Sequence, residues 1–227
     1  MNIMLGGTVT TLPESLRGPF EDFSQKVNSI DGAEWEGAFK KFLRKEPCWV
    51  NGDAKSVVST EPKPQPVLLI PIGTTTVAAT TTLFVARDRF IVNTGKKAPV
   101  KISYLGDNFK DWFLEKVEQP FVGSTLKYGK LSRSSVDGPI LAELGGEAEA
   151  ETTLTELYSL MEVQKNGENG TLLTNGYANI FYVRDVTGTL RAVAAYWRGG
   201  GWRVGAYAVT SPCAWGGGRQ VFSRDSR

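Results

Sequence analysis

The sequence predicts an α+β protein with short N-terminal helices, a central β region with helices, and an antiparallel β-meander at the C-terminus. Three observations predict this class. Apolar residues recur at helical spacing near the start, segments rich in Val, Ile, Thr and Phe follow, and two turn signals divide a strand-like stretch near the end. Because strands and helices do not alternate regularly, we expect α+β rather than a parallel α/β fold.

The order of these patterns divides the chain into three parts. Residues 1–50 are predicted to form a helical N-terminal segment, residues 51–66 a polar, proline-rich linker, and residues 67–227 an α+β domain with a C-terminal antiparallel sheet. In the first part, Pro19 is predicted to begin one helix, because proline suits the first helical turn. A second helical pattern begins at Ala33.

The central region begins with four strand candidates, which are the segments VLLIPI, TTTLFVA, RFIVN and VKISYL. Three helix candidates follow. The first is predicted to be capped by Asp107 or Asn108. The second has Pro139 near its first turn. The third begins near Thr153, whose spacing to Glu156 is that of a capping box.

Residues 179–209 predict two consecutive hairpins. The segment RGGG is typical of a tight loop, and with this loop Trp197 lies opposite Trp202 while Tyr196 lies opposite Arg203. We expect the two tryptophans to form a cross-strand pair that is buried against helices.

The preceding hairpin has two candidate registers. A two-residue loop would place Arg184 opposite Arg191, and like charges in that position are destabilising. A three-residue loop over residues 186–188 avoids this and places Phe181 opposite Val193. The three-residue loop is therefore the predicted connection.

This register sorts the side chains of the three strands onto two faces. One face is apolar and is predicted to belong to the core: Phe181, Val183, Val193, Ala195, Trp197, Trp202, Val204 and Ala206. The other face, called here the Arg/Tyr face, carries Tyr182, Arg184, Tyr196, Arg203 and Tyr207 around the small residues Ala192, Ala194 and Gly205. The Arg/Tyr face is the candidate binding site.

Two interpretations of the Arg/Tyr face stay open. It is either a structural surface, half-exposed or covered by an acidic region of the same domain, or a recognition surface. Charges are segregated: from Thr171 onward there are seven arginines and no lysine, whereas residues 137–164 hold seven acidic residues and no basic one. Tyrosine and arginine are enriched where proteins bind partners, and both also stack on the bases of single-stranded nucleic acid.

The composition limits the possible chemistry. The chain has no histidine, which excludes catalytic mechanisms and zinc sites that depend on it, and its formal net charge is only +2. An enzyme that uses carboxylates, with or without a divalent metal, stays an alternative. Its candidate residues are Asp88, Asp185 and Asp225, or the glutamates Glu143, Glu147, Glu149 and Glu151. We predict neither a cofactor nor a bound metal.

The cellular setting follows from weaker signals. The N-terminus lacks the pattern of a secretion signal, and the most apolar run is broken by Pro71 and Gly73, so no membrane segment is predicted. We expect a cytoplasmic protein in which Cys48 and Cys213 are reduced, although a disulfide between them is an alternative.

Several segments carry a resemblance to known sequences. The stretches LLTNGYANIFYVRD, GGGWRVGAYAV and VKISYLGDNFKDWFL are similar to those of a group of uncharacterised bacterial proteins. The resemblance implies a bacterial origin and carries no functional residue. The sequence therefore predicts a non-enzymatic binding or interaction protein that uses the Arg/Tyr face to hold a protein or a nucleic acid.

Overall fold

The computed structural model describes residues 2–5, 8–11, 14–29, 32–44 and 67–225. The chain divides into two compact units, Met1–Lys63 and Pro64–Arg227. The predicted linker at residues 51–66 lies outside the described residues.

The first unit contains a hairpin and two helices. Its elements are β1 (Asn2–Leu5), β2 (Thr8–Thr11), α1 (Glu14–Val27) and α2 (Gly32–Leu43), with β1 and β2 antiparallel. The two helices pack through the rings of Phe23 and Phe39, whose centroids are 4.4 Å apart. Pro19 lies inside α1, so the prediction that it begins the helix is wrong. The helix begins five residues earlier, at Glu14.

The second unit holds the remaining elements. Its strands are β3 (Leu69–Val77), β4 (Phe84–Val85), β5 (Ile102–Leu105), β6 (Val117–Glu118), β7 (Ser124–Leu131), β8 (Glu151–Thr152), β9 (Asn179–Arg184), β10 (Leu190–Arg198), β11 (Gly201–Ala208) and β12 (Gln220–Arg224). Its helices are α3 (Ala86–Arg89), α4 (Asp107–Phe113), α5 (Asp137–Glu143), α6 (Glu147–Ala150) and α7 (Leu154–Val163).

Eight of these strands form one mixed sheet, in the order β3-β7-β12-β9-β10-β11-β5, with β8 paired to β9. The α+β class is thereby confirmed. The predicted meander is found in β9, β10 and β11, which pair antiparallel. It does not extend further, because β12 pairs parallel with β9 and antiparallel with β7, and β5 pairs parallel with β11.

The sheet separates two apolar cores. The first core includes Phe181, Val193 and Trp202 and is covered by α4 and α7. The second core includes Ile180 and Ala194 and is covered by α5 and α6. Alternate residues of β9 and β10 therefore enter different cores, as the two-residue period of a strand requires.

Two of the four strand candidates in the central region are wrong in most of their length. Within TTTLFVA, the strand β4 covers Phe84–Val85, and RFIVN contributes an isolated bridge from Asn93 to Ile102. Between them the chain turns into α3. Ala86 and Phe90 are four residues apart and both buried, so one helical turn places both in the first core.

The predicted helix N-termini are correct for some helices and wrong for others. Thr153 and Glu156 form the predicted capping box at α7. In contrast, the N-cap of α4 is Gly106, which offers no side chain, so the prediction of a cap by Asp107 or Asn108 is wrong. Pro139 lies in the first turn of α5, as predicted.

Candidate functional site

Both hairpins have the predicted register. Trp197 pairs with Trp202 and Tyr196 with Arg203 across the RGGG loop. Phe181 pairs with Val193, which confirms the three-residue loop. The faces of the three strands are therefore those that the sequence predicted.

The apolar face enters the first core with one exception. Trp202 is fully buried, and its indole Nε1 donates a hydrogen bond to the Gln164 carbonyl at 3.1 Å. Trp197 contacts Trp202 edge to face at a centroid distance of 5.6 Å but lies at the margin of the core and is half-buried. The prediction that both tryptophans are buried is correct for Trp202 alone.

Tyr182 of the Arg/Tyr face is not accessible. It is fully buried in the second core, and its hydroxyl donates to Asp137 Oδ1 at 2.7 Å. Trp215 Nε1 donates to the same oxygen at 2.8 Å. Burial raises the pKa of Asp137, and the two hydrogen bonds oppose that rise. The structure corrects the assignment of Tyr182 as a binding residue, because α5 covers this part of the sheet.

Arg184 is engaged within the domain. Its Nε donates to Glu151 at 2.9 Å, and its terminal nitrogens contact Glu147 at 3.3 Å and the Gly188 carbonyl at 3.0 Å. The acidic region therefore covers one half of the Arg/Tyr face. For Tyr182 and Arg184, the structural interpretation is the one that the geometry supports.

The other half of the Arg/Tyr face is open to solvent. Tyr196 and Arg203 are half-buried, Tyr207 is exposed, and Tyr104 from β5 joins them. The Arg203 guanidinium lies over the Tyr104 ring, 4.5 Å from its centroid. The three tyrosines and Gly205 line a shallow cavity of about 260 Å³, called here the Tyr cleft: Tyr104, Tyr196, Gly205 and Tyr207. Arg203 lies at the margin of the cleft, stacked on Tyr104 and opposite Tyr196 in the ladder.

The parallel pairing of β5 with β11 creates the Tyr cleft. A register shift after Trp202 brings Tyr104 opposite Arg203. The Gly106 amide then donates to the Val204 carbonyl at 2.8 Å. A Cβ atom on Gly106 would be in van der Waals contact with the Cα of Gly205 at 3.4 Å, so the two glycines are neighbours in the lining of the cleft.

Electrostatics distinguish Arg203 from Arg184. Within the described residues, Arg203 has no carboxylate partner, and its Nε is buried without a hydrogen bond. Burial raises the pKa of Tyr207, and Tyr196 and Tyr104 act in the same direction, so its hydroxyl stays protonated at neutral pH. The Tyr cleft thus offers hydroxyl donors and exposed rings, with the Arg203 cation stacked at its margin.

The carboxylate alternative gains no geometric support. In the part of the chain that the structure describes, no three His, Cys, Asp or Glu side chains are grouped so as to hold a metal ion. Asp185 binds Arg191 and the loop after β9, and Glu143 accepts hydrogen bonds from the Leu68 and Leu69 amides. Cys213 is an exposed free thiol, whereas Cys48 lies outside the described residues.

Comparison with known proteins adds no further assignment. No protein family model matches the chain, and neither a curated protein nor a solved structure matches it. Among the helices of the described ranges, none is both long enough and apolar enough to cross a membrane.

Proposed function

We propose that this protein is a non-enzymatic binding protein that uses the Tyr cleft to hold a segment of another protein. The observation that carries the proposal is the Arg203 guanidinium. It is stacked on Tyr104 and lacks a carboxylate partner within the described residues. It is also directly opposite Tyr196 in the ladder, and both tyrosines line the Tyr cleft.

The residue types of the Tyr cleft favour a protein partner. Tyrosine and arginine contribute disproportionately to binding energy at protein interfaces, because they combine large contact area with hydrogen-bonding groups. Arg203 requires an anionic atom from the partner, and its planar group suits a carboxylate. The partner segment is therefore expected to carry an Asp or Glu beside an apolar or planar side chain.

A nucleic-acid partner is the weaker candidate. Binding to a phosphate backbone needs several unpaired cations along one groove. However, Arg184, Arg191 and Arg224 are all paired with carboxylates of the same chain. Lys110, next to the Tyr cleft, is likewise paired at 2.9 Å with Asp107, which lines the cleft.

A displayed library of random peptides tests the proposal with the full-length protein. We expect the selected peptides to be enriched in Asp or Glu. Arg203→Met should weaken their binding by about tenfold or more, because a charge-assisted contact is lost. The free energy of unfolding of the Arg203→Met variant should differ from that of the parent protein by less than about 1 kcal/mol, because an exposed cation–π contact contributes no more than that.

Two controls refine this experiment. Arg198→Met removes the exposed charge of the RGGG segment itself, which does not line the Tyr cleft, and should leave peptide binding unchanged. Arg203→Lys keeps the charge but not the planar group and should bind at an intermediate level. Selection of no peptide, or equal binding by Arg203→Met, would refute the proposal. Salt-sensitive binding of a single-stranded oligonucleotide in place of peptides would support the nucleic-acid candidate instead.

A further inference from the structure

A second cavity lies at the opposite end of the sheet from the Tyr cleft. It has a volume of about 490 Å³ and spans β3, β7 and β12 on the face of the second core. Leu69, Val221 and Leu144, the residue after α5, contribute apolar surface to it. Its size and apolar lining are typical of sites for small molecules.

The backbone builds this cavity from both sides. Gly129 of β7 has no side chain to fill it, and a Cβ atom there would lie 3.0 Å from the Ile70 carbonyl oxygen. The last residue of α5, Glu143, accepts hydrogen bonds from the amides of Leu68 and Leu69 at 3.0 and 2.8 Å. The end of α5 is thereby fixed to the start of β3, which sets the width of the cavity.

Two polar side chains enter the cavity from adjacent strands. Lys127 of β7 and Ser223 of β12 are directly opposite each other in the ladder, so both project from the same face. Ser223 is 1% exposed, and its hydroxyl has no hydrogen-bond partner within the described residues. A buried hydroxyl without a partner is unfavourable, and a ligand atom at this position would relieve that cost.

The charges around the cavity indicate what kind of ligand it would take. Both Glu143 oxygens are occupied by backbone amides, and Asp225 also has an interaction of its own. Lys127, in contrast, makes neither an ion pair nor a hydrogen bond with any described residue. One cation and one hydroxyl donor match a singly charged anion. The Glu143 and Asp225 carboxylates at the cavity oppose any anion, and they oppose a doubly charged phosphate more strongly than a singly charged carboxylate.

We propose that this cavity, called here the Lys127–Ser223 pocket, binds a small amphipathic carboxylic acid. The carboxylate accepts hydrogen bonds from the Lys127 ammonium and the Ser223 hydroxyl. The apolar body of the ligand lies on Leu69, Leu144 and Val221. This site is separate from the Tyr cleft, and it does not depend on the function proposed for that cleft.

Calorimetric titration of the full-length protein with octanoate tests the proposal. We expect saturable binding of one octanoate, and about tenfold or more weaker binding of 1-octanol, which has the same chain without the charge. Lys127→Met should reduce octanoate affinity by a similar factor. Lys130→Met is the matched control, since Lys130 belongs to the same strand but projects from the opposite face, and it should bind octanoate normally.

Ser223→Ala separates a ligand-binding hydroxyl from a structural one. Without octanoate, this variant should melt at the same temperature as the parent protein or higher, because the unpartnered hydroxyl is gone. The affinity of the Ser223→Ala variant for octanoate should be severalfold lower than that of the parent protein. Amide chemical-shift changes on octanoate addition should be centred on β7 and β12.

Each contrary outcome overturns the proposal. If octanoate does not bind, small amphipathic carboxylic acids are excluded as the ligand. Equal affinity for 1-octanol shows a nonspecific apolar surface. Normal octanoate binding by Lys127→Met, or chemical-shift changes centred elsewhere, shows that the Lys127–Ser223 pocket is not the site.

Discussion

Asp185 holds the three-residue loop between β9 and β10 through a single carboxylate. Its Oδ1 accepts from the Thr187 hydroxyl at 2.6 Å and from the amides of Thr187 and Thr189, and its Oδ2 accepts from Arg191 Nε at 2.8 Å. Burial by itself would raise the pKa of Asp185, but these hydrogen bonds outweigh burial and lower the pKa to about 2. The residue that the sequence offered as a candidate metal ligand is thus occupied by its own loop.

The sign of this pKa shift predicts how stability depends on pH. The folded pKa lies below the unfolded value of about 3.9, so the ionised carboxylate stabilises the fold above that pH. We expect Asp185→Asn to lower the free energy of unfolding by about 1–3 kcal/mol at neutral pH, since hydrogen bonds to a charged group are lost. The deficit should shrink as the pH falls from about 4 to 2.

Denaturant unfolding over this pH range measures the effect. Asp88→Asn is the control, because Asp88 is an exposed aspartate of α3. A deficit for Asp185→Asn that stays constant down to the lowest pH would mean that the charge of Asp185 does not contribute.

The β10–β11 hairpin contributes side chains to both faces of the sheet. Its apolar side enters the first core through Val193, Trp202 and Val204. Its other side places Tyr196 and Tyr207 in the Tyr cleft and Arg203 at the margin of the cleft. The hairpin therefore positions the candidate site on a strand pair that the core holds rigid. Sites on such elements are held more precisely than sites on loops.

Truncation of the two tryptophans should have unequal effects. We expect Trp202→Ala to cost about 3–5 kcal/mol, because a fully buried ring and its hydrogen bond to Gln164 are lost. Trp197→Ala should cost less than about half as much, since Trp197 is half-exposed. Urea unfolding of both variants decides this. Equal losses would contradict the placement of Trp197 at the margin of the core.

At the scale of the whole molecule, the residues of both cores come from the second unit. The first core runs from Val77 to Phe222, and the second core from Leu68 to Val221. The sheet carries two distinct cavities on the face of the second core, one across β3, β7 and β12 and the other at β11 and β5. Occupation of one cavity need not obstruct the other.

A fragment that contains residues 64–227 should therefore fold by itself. We expect a single cooperative unfolding transition and dispersed amide resonances, because every described residue of the two cores lies within it. A shorter fragment that begins at residue 80 lacks β3 and with it Leu69 and Val77, and it should be markedly less stable. An unfolded 64–227 fragment would show that the second unit depends on the first.

Local pattern alone determined the hairpins of β9, β10 and β11, their register and the capping box of α7. These features depend on residues close together in sequence, where turn geometry, like-charge repulsion and side-chain period leave few alternatives. The same local rules failed at α3, where packing of Ala86 and Phe90 in the core overrode the β-like composition.

Pairing between strands that are distant in sequence decided the order of the sheet and the residues that meet at the two cavities. No local sequence pattern encodes this pairing. The insertion of β12 between β7 and β9 placed Ser223 opposite Lys127, and the parallel pairing of β5 placed Tyr104 against Arg203. The Arg/Tyr face was visible in the sequence, but which half of it is covered was not. Asp137 and Glu147 reach Tyr182 and Arg184 because α5 and α6 pack on that end of the sheet, whereas no such acidic helix covers Arg203 within the described residues. Alternation along a strand determines which side chains share a face, but only tertiary packing determines what lies over that face.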